Sequence, residues 1–237
     1  MLSAYDDLIE NNTRRTKILE EMAQRLYREW FVNFRFPGHE KVKMVDSELG
    51  KLPSAWNAQK VRDVIARLTA GQVYKETDVS VSGMVPVIDQ SRDELLGFHC
   101  NAPDHLATVE EPIAIFGDHT CKMHLMLFPF SVGPNVVPFV SKANLPMAFV
   151  FFLVRNLVST AEYKRHWTDL TNKTVIIPQS GLALEFTRLV TPMLHSIDNR
   201  IRMNLNLRRT RDLLLPKLVS GEVSVEQIET EAVAQTV

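Results

Sequence analysis

The sequence predicts an α+β protein in which a β-rich domain is carried between two long antiparallel helices. Three observations predict it. Residues 1 to 36 hold neither proline nor glycine and repeat apolar positions at helical spacing. Ten of the twelve prolines fall between Pro37 and Pro178, among short apolar runs. From Gly181 the helical pattern returns.

The first helix is the clearest element. Tyr5, Ile9, Asn12, Thr16, Leu19, Ala23, Leu26 and Trp30 recur at alternating three- and four-residue steps. That is one stripe of a helix roughly 50 Å long at about 1.5 Å per residue. "FPGHE" ends it, because Pro37 cannot continue the hydrogen-bond ladder and Gly38 frees the backbone. Its end is unusually aromatic, with Tyr27, Trp30, Phe31, Phe34 and Phe36, and such a surface needs a cover. Residues 37–52 form a linker. Residues 53–180 form the β-rich domain, in which "MVPVI", "EEPIAIF", "LMLFPF" and "NVVPFV" are strand-length and bounded by turn residues. "LPMAFVFFLVRNLVS" is open to either a buried helix or a strand, and its length favours a helix packed on a sheet. Residues 181–221 form the second long helix, punctuated by Gly221, and residues 222–237 are an acidic tail expected to be disordered.

The two helical zones resemble each other. At an offset of 188 residues, "IENNTRRTKILEEMAQRL" meets "IDNRIRMNLNLRRTRDLL", matching Ile9 with Ile197, Asn11 with Asn199, Arg14 with Arg202, Leu19 with Leu207 and Leu26 with Leu214. Arg200 stands where the first helix has Asn12, and Asn204 where it has Thr16. Polar groups in a helical seam cost stability and fix register and partner. The helix around Leu19 to Trp30 is therefore expected to pack antiparallel on that around Ile197 to Leu214. Ile9, Leu19, Leu26, Trp30, Phe31, Ile197, Leu207 and Leu214 serve as helix-pairing or subunit-interface positions.

Composition narrows the class without naming an activity. The 237 residues are 45% hydrophobic and 23% charged, with a net charge of −1, as in an ordinary globular protein of one or two domains. Two cysteines, Cys100 and Cys121, make no disulfide framework, so a cytoplasmic setting is expected. Met1 leads directly into acidic, helix-forming sequence without a signal peptide, and the longest apolar run, Met147 to Val154, is too short to span a bilayer. There is no glycine-rich phosphate loop and no dinucleotide fingerprint.

The stretch "LSAYDDLIENNTRRTKILEEMAQRLYREWFVNFRFPGHE" strongly resembles the central conserved region of type I restriction-modification specificity subunits. "LPSAW" is similar to the start of that family's target-recognition domain, "IAIFGDHT", "YKRHW" and "VIIPQ" to its interior and exit, and "RRTRDLLLPKLVSGEV" to its distal conserved helix. The resemblance implies a subunit that performs no chemistry. It reads double-stranded DNA and holds a methyltransferase subunit and a restriction/translocase subunit in place. The chain itself would carry no cofactor, and S-adenosylmethionine, ATP and magnesium would be bound by those partners. Consistently, the sequence lacks the Asn-Pro-Pro-aromatic tetrapeptide that an adenine methyltransferase of such systems needs. Family members typically carry a recognition domain ahead of the central helix, and this chain starts where that domain would end. The resemblance therefore implies a half-size subunit that reads one half of a bipartite target, as a homodimer or paired with another half-subunit.

Between Pro53 and Ser180 there are eleven Lys or Arg and twelve Asp or Glu, so bulk attraction to phosphate is modest. Discrimination among base edges needs fewer charges. The polar stretches that read as loops supply the DNA-contact candidates: Gln72, Tyr74 and Lys75 in "TAGQVYKET", Gln90, Ser91 and Arg92 in "IDQSRDE", and Lys164, Arg165 and His166 in "YKRHW". In "GDHT", Asp118 is expected to order a turn and His119 to be an internally satisfied group. A rival reading is a metal-dependent DNA-binding protein or nuclease built on His99, Cys100, His105, His119, Cys121 and His124. Those ligand types suit zinc, but the spacings match no closed zinc framework. If "GDHTCKMH" is a strand, His119 and His124 point to opposite faces.

Overall fold

The computed structural model describes residues 2–47, 50–90, 95–142, 144–160 and 164–222. In chain order these form α1 (Leu2–Tyr27), a widened π-helical turn (Arg28–Val32), β1 (Met44–Ser47), β2 (Gly50–Pro53), β3 (Asn57–Lys60), α2 (Val61–Val64), β4 (Ile65–Arg67), β5 (Val85–Ile88), β6 (Leu95–His99), β7 (Ile113–Gly117), β8 (Met123–Met126), β9 (Ser131–Val132), β10 (Val136–Ser141), α3 (Met147–Val154), α4 (Trp167–Thr171), β11 (Thr174–Ile177) and α5 (Ser180–Val219). Most of the acidic tail lies outside the described residues. The chain divides into two compact units, residues 1–21 with 196–237, and residues 22–195.

The first unit is a helix pair. Ile9 and Ile197 are its buried apolar residues, and Asn12 is buried among them. The Asn12 Nδ2 donates to Asn204 Oδ1 at 2.9 Å, and Asn204 Nδ2 reaches the Ile9 carbonyl and Thr13 Oγ1, each at 3.2 Å. Arg211 pairs with Asp6. Moving from Asn12 back to Asp6 thus moves the partner forward from Asn204 to Arg211, so the helices are antiparallel. This corrects the expected register: Asp6 to Thr13, rather than Leu19 to Trp30, face Asn204 to Arg211. In this alignment the two polar seam residues, Asn12 and Asn204, satisfy each other. Leu19, Leu207 and Leu214 are half-buried.

In the second unit, the aromatic end of α1 finds its cover. The π turn closes with Asn33 N–H on the Arg28 carbonyl at 2.8 Å. The extra residue per turn carries both Trp30 and Phe31 inward, where they are 6% and 7% exposed. Phe31 lies 4.8 Å from Phe149 and 5.4 Å from Phe186, ring centroid to ring centroid, and Phe36 stacks on Trp56 at 5.5 Å. Trp30 and Phe31, expected at a pairing or subunit interface, meet Phe186 of α5 at 6.3 and 5.4 Å and are core residues of this unit. Leu26 is half-buried.

The main sheet runs β4-β10-β7-β8, with all neighbours antiparallel. Its inner strands read as near-continuous apolar runs because both faces are covered, with α3 packing on β7 and β10. "MAFVFFLV" is helical, as its length suggests, and buried from Ala148 to Val154. Pro138 is tolerated inside β10 for a specific reason. The Leu68 N–H donates to the Pro138 carbonyl at 2.9 Å, so the missing proline N–H faces the same side, just past the end of β4, and the β10–β7 ladder is untouched. A second sheet orders β6-β5-β9, and β11 pairs with β3, as β1 does with β2.

Candidate nucleic-acid interface

Loops at the ends of β5, β7 and β9 surround a cleft of about 650 Å³ in the second unit, lined by Lys75, Asp89, Gln90, His119, Thr120 and Asn135 among others. Backbone hydrogen bonds tie these loops together. Gly133 N–H donates to the Ile88 carbonyl at 2.8 Å, and Asp118 N–H to the Asn135 carbonyl at 2.8 Å. Asn135 adopts a left-handed backbone with φ of 60°, which asparagine tolerates better than most residues and which makes the sharp "GPN" turn. Lys75 sits on a short 3₁₀ turn over Glu76–Asp78, its N–H held by Asp78 Oδ2 at 2.8 Å.

A fourth segment joins through "GDHT". These residues form the turn between β7 and β8, not a strand, because Cys121 turns left-handed with φ of 56° and its N–H returns to the Gly117 carbonyl at 2.8 Å. Asp118, 7% exposed, accepts backbone N–H groups of His166 and Trp167 on Oδ1 at 3.0 and 2.8 Å. The His119 Nδ1–H donates to the Lys164 carbonyl at 3.1 Å. These bonds seat residues 164–167 on the end of β7. There Lys164 pairs with Asp169 at 3.3 Å, while the Arg165 side chain is 79% exposed. Hydrogen bonds from His166 and then Lys164 hold the Asp169 carboxyl below its ordinary range.

Of the expected DNA contacts, Lys75 and Gln90 line the cleft, and Lys164 and Arg165 lie on the segment anchored through Asp118 and His119. Gln72 is exposed in a separate loop, its N–H held by Asp104 at 3.2 Å. Tyr74 and His166, each 2% exposed, are corrections. Tyr74 stacks on His99 at 4.2 Å and 7°, and the His166 Nδ1 meets Asp169 Oδ2 at 3.2 Å, so both brace loops from beneath. Ser91 and Arg92 lie outside the described residues. Thr120 and Asn135, not among the expected contacts, also line the cleft. The "GPN" turn between two apolar runs was the available signal for the latter.

The His/Cys residues do not converge. Among the described residues no group of three or more His, Cys, Asp or Glu side chains is gathered as a metal would require. The His99 Nδ1 accepts the Asn101 N–H at 3.1 Å, which leaves its Nε2–H to donate to Ser131 Oγ at 3.0 Å. His105 donates to the Ala70 carbonyl at 3.2 Å and stacks on Phe130. Cys100 is exposed, and burial pushes the Cys121 thiol up rather than toward a ligating thiolate.

Among the described lining residues Lys75 stands against Glu76 and Asp89, so their charges do not favour a phosphate. Its walls offer amide, hydroxyl and imidazole groups, which suit hydrogen bonds to a neutral polar edge.

No family model matches the chain. In sequence it is 28% identical over 253 aligned residues to the MjaIX type I restriction enzyme specificity subunit of Methanocaldococcus jannaschii, a match covering 96% of this chain and 58% of that protein. The chain thus spans somewhat more than half the length of this relative. In fold it is similar to a type I restriction-modification S subunit from M. genitalium, with a TM-score of 0.57 and 13% identity, over 92% of this chain and 58% of that one.

Proposed function

We propose that this chain, a relative of type I restriction enzyme specificity subunits, is a DNA sequence-reading subunit whose β-rich domain recognises one half of a bipartite target. The observation that carries this reading is the sequence match to a specificity subunit over 96% of the chain, helices and domain together. The cleft supports it with side chains able to exchange hydrogen bonds with base edges, beside the exposed Arg165 for a phosphate. The chain is non-catalytic in this proposal. The helix pair scaffolds a methyltransferase subunit, and a restriction/translocase subunit, in the cytoplasm. Methyl transfer from S-adenosylmethionine and ATP-driven, magnesium-dependent work belong to those partners.

The test is a methylome. Cells carrying this chain with the methyltransferase subunit of its own system should gain methylated adenines in one defined motif, and cells with the methyltransferase alone should not. If both strains have the same methylation pattern, the chain does not specify sequence.

A further inference from the structure

Gln90 is a cleft residue whose amide orientation is determined by a backbone partner. Its Oε1 lies 3.0 Å from the backbone N of His119. A backbone N–H can only donate, so the amide oxygen must be the atom that faces it. The stem of the side chain is fixed from below. A Cβ on Gly117 would fall 2.9 Å from Gln90 Cβ and 2.3 Å from Thr120 Oγ1, so only glycine lets Gln90 lie against the end of β7. No hydrogen-bond partner takes its Nε2 among the described residues, and the side chain lines the open cleft. The glutamine is thus held through its acceptor, and its Nε2 donors are the amide group left without a partner among the described residues.

We propose that Gln90 is a specificity-determining side chain that reads guanine. This deepens the DNA-reading function proposed above and rests on it. A free glutamine brackets adenine, accepting from N6 and donating to N7. In Gln90 one lone pair of that acceptor already takes the His119 N–H, so the amide turns its oxygen toward the backbone and the group left to be satisfied is the Nε2 donor pair. Guanine is the base whose major-groove edge sets two acceptors, O6 and N7, side by side, and it matches an Nε2 donor pair without needing a second bond to Oε1. Locking the amide before DNA arrives also lowers the ordering cost of the contact.

The experiment selects bound duplexes from a random library with the assembled chain–methyltransferase complex, comparing wild type with Gln90→Ala, Gln90→Glu and Gly117→Ala. Gln90→Ala should lose roughly five- to 150-fold discrimination at one G·C pair and none elsewhere. Gln90→Glu keeps an acceptor for His119 but turns a carboxylate oxygen toward the base, so guanine at that pair should be disfavoured. Gly117→Ala, which leaves the glutamine chemically intact, should relax the same pair by displacing it. Replacing that guanine with 7-deazaguanine should lower wild-type binding and leave Gln90→Ala unaffected. Relaxation at an A·T pair, no change at any pair, or equal weakening on all sequences, as for a phosphate contact, would each overturn the assignment. A wild-type complex that enriches no sequence would instead remove the DNA-reading function itself.

Discussion

Asp118 does at the level of one side chain what the loops around it cannot do alone. Its carboxylate and carbonyl receive the N–H groups that begin α4, and these seat Lys164 and Arg165 beside the cleft. Asp118→Ala leaves the part-buried Trp167 N–H without its acceptor, while the His166 N–H keeps the Asp118 carbonyl, and should cost about 1–3 kcal/mol, whereas Asp118→Asn keeps an amide oxygen and should lose less. Thermal melting checks this, and equal melting of all three proteins would mean the contact carries no weight. His124 on β8 makes a second residue-scale case. Burial, then Arg155 and Lys122, pushes its pKa down to about 4. The unfolded chain, with an ordinary value near 6.5, therefore binds the extra proton first. Stability is full above about 6.5 and is lost as pH falls toward 4, by about 3 kcal/mol at most. Burial lowers His105 as well, in the same direction. Denaturant melts between pH 7 and 4 should show this slope, and His124→Gln should flatten it. Residue type did not reveal where such groups sit. Tyr74 and His166 have the composition of a reading loop, yet each is spent on an internal partner that sequence spacing cannot show.

At the scale of elements, the helix pair depends on the Asn12–Asn204 contact. An asparagine in a helical seam trades stability for register. A double-mutant cycle with Asn12→Ala and Asn204→Ala should show a coupling of about 1 kcal/mol, measured by denaturant unfolding. A coupling near zero would mean that the register is set by Ile9 and Ile197 packing alone. Ile197→Asp should cost more than Leu207→Asp, because Ile197 is 5% exposed while Leu207 is half-buried. The helices themselves were legible, since apolar spacing over some thirty residues admits little else. Their register was not, because the stripe says which face is apolar but not which turn meets which. The π turn also escaped the pattern: the insertion that brings Trp30 and Phe31 inward together breaks the 3.6-residue period on which the reading depends. In "GDHT" the turn expected at Asp118 and the internal partner expected for His119 are both present, and only the conditional strand reading of the longer "GDHTCKMH" fails, because Cys121 turns left-handed. The strand zone and α3 were legible as a class, but the order β4-β10-β7-β8 was not, because long-range pairing leaves no local period.

For the whole molecule, the helix repeat frames the symmetry of recognition. Because the sequence of α1 recurs on α5 at an offset of 188 residues and the two run antiparallel, exchanging the helices approximately preserves the seam. A scaffold of that kind has two similar ends, and a bipartite target has two segments to be read. In the proposal made here, one β-rich domain reads one segment, and a second copy of this chain about a twofold axis reads the other. An interface formed this way is isologous, so the same helix surface meets itself. Trp30 and Phe31 are taken up in the core, so this surface has to be drawn from the exposed apolar residues of the helices, such as Leu8, Met203 and Leu213. A twofold reader recognises two inverted copies of one short sequence, with a spacing fixed by the scaffold. The methylated motif in cells carrying only this chain and its methyltransferase should therefore be palindromic with an unread gap, and the purified complex should contain two copies of this chain by native mass measurement. Exchanging Gln90 for alanine would then relax both half-sites symmetrically. A non-palindromic motif, or a complex with one copy, would mean that the second segment is read by a different domain.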